Sequence, residues 1–101
     1  MKAIAHGVVI AETQTDRAVK IEGNWYFPAA ALEPGLLQEN STPYTCPWKG
    51  KAQYFDLTIG SDRLRDAAWS YPALLASAIA RVGRDFNGYV AFDPRQVQIT
   101  P

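Results

Sequence analysis

The chain has 101 residues, apolar residues make up 48% and aromatics 12%, and its ten basic and ten acidic side chains cancel. That length and composition describe one folded domain with a single modest core and exclude disorder. The charge balance gives no electrostatic reason to expect a nucleic-acid or anionic-membrane partner. One cysteine allows no internal disulfide, and with His6 the only imidazole there is no structural zinc set.

Met1-Lys2 precedes an apolar run ending at Ala11, but His6-Gly7 interrupts it and its alternation suits a pair of strands better than a signal core. No stretch approaches the ~18 apolar residues of a membrane span. A cytoplasmic protein is the expectation.

Lys2–Ala5 and Val8–Glu12 read as strands joined by a two-residue turn at His6-Gly7. After a polar loop at Thr13–Asp16, Ala18 to Phe27 reads as a second hairpin turning at Gly23-Asn24. Pro28 opens a short helix over Ala29–Leu32 that Pro34-Gly35 ends, with a further helical turn over Leu36–Glu39. Asn40–Pro43 is a loop.

The stretch from Thr45 to Asp56 then gathers the only cysteine, a tryptophan, a proline and a glycine before an alternating strand over Lys51–Ile59. Gly60-Ser61-Asp62 closes that strand, Arg63–Asp66 is polar, and Ala67–Tyr71 forms another strand. Leu74, Leu75, Ala78, Ile79 and Val82 recur near the helical period, which predicts one main helix over 73–82 stopped by Gly83. Asn87-Gly88 turns into a strand at Tyr89–Phe92, and a last short strand runs Val97–Ile99. Many short strands with one good helix predict a mainly β, antiparallel domain.

Tyr26-Phe27-Pro28, Cys46-Pro47-Trp48-Lys49-Gly50, Ala52, Tyr54, Ala67-Ala68-Trp69-Ser70-Tyr71 and Tyr89-Val90-Ala91-Phe92 occur in an order that closely resembles domain-of-unknown-function family four-twenty-seven, over nearly the whole chain. The resemblance implies a β-tent architecture, two antiparallel sheets meeting at an angle, which also serves methionine-R-sulfoxide reductases and the thalidomide-binding domain of cereblon. Relatives of that fold often hold zinc with four cysteines, a set that this chain's single cysteine cannot supply. A nucleotidyltransferase label is sometimes attached to the family. The residues do not support it, because no Asp-x-Asp or Asp-x-Glu pair and no Walker-type phosphate loop occurs.

Two groups of residues carry candidate chemistry. Trp25, Trp48 and Trp69, with Tyr26, Tyr54 and Tyr71, are placed to wall an aromatic pocket for a flat or cationic small molecule, with Lys49 as the polar contact. Equally, such rings can simply fill a thin core. Cys46 is the candidate nucleophile, activated by Lys49 in a thiol-dependent enzyme, against the alternative of an inert buried thiol. Lys49, Lys51, Arg63 and Arg65 are interleaved with Asp56, Asp62 and Asp66, which reads as a solvated mixed-charge surface or an anion site.

The expected function is therefore a small-ligand-binding β-domain, with a thiol enzyme or an interaction module as alternatives. No cofactor and no metal is expected, and a sheet edge leaves self-association open.

Overall fold

The computed structural model describes residues 1–101. The first hairpin follows its sequence signal: β1 (Lys2–Ala5) pairs with β2 (Val8–Glu12) across His6 and Gly7, whose φ angles are 49° and 74°. Positive φ at both central residues is what a tight hairpin turn of matching twist requires. The second hairpin joins β3 (Val19–Ile21) to β4 (Asn24–Tyr26), and its turn falls on Glu22 and Gly23, at φ 53° and 84°, rather than on Gly23-Asn24. Placing the glycine second in the turn keeps Val19, Ile21 and Tyr26 all buried, and a one-residue slip would reverse those faces.

Ala29–Ala31 makes a single 3-10 turn, and the helical turn expected at 36–39 is instead β5 (Leu37–Glu39), an edge strand paired with residues 55–57. Three residues are too few for periodicity to tell helix from strand. A small ribbon follows, β6 (Thr45–Cys46) with β7 (Gly50–Lys51), and then the two long strands β8 (Gln53–Ile59) and β9 (Asp62–Ser70). The polar segment 63–66 therefore lies inside a strand, where a register shift opposite Asp56 puts Asp66 at φ 52°.

The helix α1 is shorter than its apolar spacing predicts, Ala76–Val82 instead of 73–82. The Leu74 N–H donates to Asn87 Oδ1 (2.7 Å) and the Leu75 N–H to the Lys49 carbonyl (3.0 Å); Leu75 has an extended backbone (ψ 141°) and an exposed side chain. Gly83, at φ 82°, ends the helix as expected. The chain closes with β10 (Val90–Phe92) and β11 (Gln98–Thr100).

The result is a mainly β, antiparallel domain with one helix: a four-stranded sheet β10-β9-β8-β5, a three-stranded sheet β11-β1-β2 and two ribbons. Phe27 extends the larger sheet by exchanging both backbone hydrogen bonds with Val90, each 2.8 Å. Alternating residues of that sheet then serve two cores. Leu57, Ala68, Val90, Phe92 and Phe27 pack with Ala3, Ala5, Ile10, Ala11 and Val97 of the three-stranded side. Tyr26, Ala52, Tyr71 and Ala91 pack with Val19, Ile21, Cys46 and Phe86 on the other. The candidate site belongs to this second core. No helix is long and apolar enough to cross a membrane.

Candidate functional site

Cys46 and Gly50 face each other across the β6–β7 ribbon, and Pro47-Trp48-Lys49 forms the turn between them. The Lys49 carbonyl, bonded to the Leu75 N–H, ties this turn to the segment before α1. Gly50 sits at φ 116°, and a Cβ there would meet the Ala73 carbonyl oxygen at 3.2 Å. The turn is thus fixed from behind by backbone.

That anchoring sends Lys49 inward, where it is only 4% exposed. A buried ammonium needs partners. Nζ donates to the Glu22 carboxylate, lies 3.7 Å from Cys46 Sγ, and sits 4.5 Å and 5.3 Å from the ring centroids of Trp48 and Tyr71. Arg81 of α1 lies 4.3 Å from the Trp48 ring centroid. The β3–β4 turn explains Glu22: its left-handed backbone projects the carboxylate over the ribbon while leaving the side chain 58% exposed.

Electrostatics follow from these contacts. The Lys49 hydrogen bond holds the Glu22 carboxyl below its usual range. Burial works against the Lys49 charge, but the bond to Glu22 and the surrounding negative groups outweigh it and raise the ammonium pKa. Burial likewise pushes the Cys46 thiol up, yet the N–H groups of Trp48 and Lys49 and the Lys49 ammonium more than offset it, so the thiol lies below its ordinary value. Burial raises Tyr26 and Tyr71.

The aromatic residues divide. Tyr26 is buried, accepts a hydrogen bond from Trp69 Nε1 at 3.1 Å and packs edge-on against Phe86. Tyr71 is also buried, and Trp48, Tyr54 and Trp69 pack on the same core. Trp25 packs on the other core, so the three indoles do not converge. Adjacent strand positions point to opposite faces, and Tyr26 has taken the second-core face.

Beside the ribbon lies an open cleft of about 660 Å³ walled by Tyr44, Tyr54 and Trp69, with Thr42, Arg65, Asp66 and Asp93 among its polar lining. The Tyr54 and Trp69 rings are 6.0 Å apart at a 33° tilt. A neighbouring cleft of about 580 Å³ includes His6 and Trp25, and Asn24 and Gln96 line both.

Residues 1–100 match the family described as Domain of unknown function (DUF427). The chain belongs to that family. It has no significant match among curated proteins.

Some features of this DUF427 domain escaped the sequence reading. Asp56 does not lie on a solvated surface but is buried at the β8–β9 register shift. Its Oδ1 accepts from Asn40 Nδ2 (2.7 Å) and the Asp66 N–H (3.0 Å), and its Oδ2 from Arg63 Nη2 (2.6 Å). Asn40 also donates to Asp66 (2.8 Å), as does Thr42 Oγ1 (2.7 Å). The four expected cations separate: Lys49 goes inside, Lys51 outside, Arg63 to Asp56 and Arg65 to the cleft. His6 Nδ1 lies 3.0 Å from Asp62, linking two hairpin tips. Asn40 and Thr42 carry no local motif that could have marked them, because Asp56 and Asp66 reach them from distant strand positions, whereas Asp93 is held by its own near neighbours Arg95 and Gln96.

Proposed function

We propose that this domain binds a small, flat, polar molecule in the cleft walled by Tyr44, Tyr54 and Trp69, stacked on Trp69 and Tyr54. The observation that carries the reading is the pairing of these two rings with a polar rim in one open cleft. Aromatic faces supply contact area at little entropic cost, and a few placed polar groups orient the ligand. Trp69 is held by its bond to Tyr26, so its face is presented to the cleft without rearrangement.

Arg65 and Arg95 are balanced in the lining by Asp66 and Asp93. That balance favours a ligand carrying both hydrogen-bond donors and acceptors over a strongly anionic one. Lys49, Cys46 and the rest of the Cys-Pro-Trp-Lys-Gly turn do not line this cleft, so they make no contact with the ligand in this reading. A thiol enzyme turning over an organic substrate is the weaker reading, because Cys46 lines none of the clefts that could hold one.

The test is a thermal-shift screen of polar heterocycles followed by tryptophan-fluorescence titration. A true ligand raises Tm and quenches emission, Trp69→Leu or Tyr54→Leu weakens it at least about tenfold, roughly 1.4 kcal/mol, and Trp25→Phe leaves affinity unchanged. Equal affinity in Trp69→Leu and Tyr54→Leu variants that remain folded would sink the proposal.

A further inference from the structure

We propose that Cys46 and Lys49 are an oxidation-triggered covalent pair: a hydroperoxide converts them to a sulfenamide, with Sγ bonded to Nζ. The inference is independent of ligand binding in the cleft. It stands on geometry, since Nζ is 3.7 Å from Sγ inside one buried cluster whose solvent side is the half-exposed Glu22.

The chemistry has two steps. The Cys46 thiolate attacks the hydroperoxide, the O–O bond breaks, sulfur loses two electrons, and the products are a sulfenate and an alcohol, or water when the oxidant is hydrogen peroxide. Hydrogen-bond donation from the Trp48 and Lys49 backbone favours the thiolate this step needs. A sulfenic acid is then captured by a thiol or a nitrogen. In the second step the sulfenate oxygen takes a proton from the neighbouring Lys49 ammonium, and the freed amine attacks sulfur. The S–N bond forms as the S–O bond breaks. The departing hydroxide takes the second nitrogen proton and leaves as water, and Glu22 stays ionised throughout.

Two features of this chain select Lys49 as the capturing group. No second cysteine exists to form a disulfide. The amide nitrogen directly after the cysteine, which closes a cyclic sulfenamide when it bears a hydrogen, here belongs to Pro47 and bears none. The other nitrogens hydrogen-bonded to the Cys46 sulfur, the backbone N–H groups of Trp48 and Lys49, are amides and poor nucleophiles beside an amine. A thiol reductant reverses the product by attacking sulfur and releasing the lysine.

The test exposes the whole protein to near-stoichiometric hydrogen peroxide, quenches it in denaturant with iodoacetamide, and reads intact mass and a peptide map. The expected product is about 2 Da lighter than the reduced protein, resists alkylation, links residues 46 and 49, and reverts with dithiothreitol. Lys49→Arg keeps the positive charge without the amine, and should instead oxidise onward to sulfinic acid, gaining about 32 Da. Accumulation of a dimedone-reactive sulfenic acid, or only sulfinic and sulfonic acids, in the unsubstituted protein would overturn the proposal. So would a cysteine left fully alkylatable, or the linked product persisting in Lys49→Arg.

Discussion

Asp56 is ionised although only 4% exposed. The Asp66 N–H, then Arg63, then Asn40 hold its carboxyl at about 2, down from 3.8. A carboxylate with a depressed folded pKa contributes its full stability above the unfolded value and loses it as pH falls through the folded one. Its window therefore runs from about 3.8 down to about 2. The contribution is roughly 1–2 kcal/mol, discounted because the Arg63 side chain is 64% exposed. Asp93, covered and bonded to Arg95 and Gln96, is lowered in the same direction. Asp56→Asn should lower Tm near neutral pH and flatten its decline below about pH 4. Parallel decline in both proteins, followed by circular dichroism across that range, would place the acid sensitivity elsewhere. At this scale the sequence marks Cys46 and Lys49 as chemically notable. Their burial depends on Glu22, which lies more than twenty residues earlier and reaches them only through a hairpin turn.

Among the elements, the Cys46–Gly50 ribbon depends on one backbone position. Gly50 combines φ 116° with the close Ala73 carbonyl, so an added Cβ meets both strain and a backbone atom that cannot rotate away. Gly50→Ala should cost roughly 1–3 kcal/mol. Gly35→Ala, at positive φ but with open space around it, should cost less. Urea midpoints compare them directly, and an equal loss would show that the Ala73 contact contributes nothing. The His6-Gly7 hairpin was legible because its turn chemistry and flanking strands are contiguous. Strand β5 and the first half of β9 were not: one is three residues long, and the other is polar because it borders the Asp56 network.

For the whole molecule, Phe27 is the joint. It is fully buried, its backbone pairs with Val90, and its ring lies 5.6 Å from Phe92. Phe27→Ala should cost roughly 3–5 kcal/mol, a large share of the ~5–15 kcal/mol typical of a domain. Denaturant unfolding followed by both tryptophan emission and far-ultraviolet circular dichroism should show the midpoint fall in both signals. A loss below about 1 kcal/mol would mean that the first core does not depend on this ring.

The sequence by itself determined the mainly β class, the first hairpin, the one main helix and its glycine stop, because these depend on alternation, period and turn residues close together in the chain. Tertiary structure decided which face each aromatic serves, so that Trp25 parts from Trp48 and Trp69. It also shortened α1, which starts after an extended Leu75 whose N–H is tied to the Lys49 carbonyl of the ribbon turn. The Lys49–Glu22–Cys46 cluster and the Asp56 network belong to the same category. A buried charge takes its partners from whatever the folded sheets bring near, and sequence distance does not set that distance.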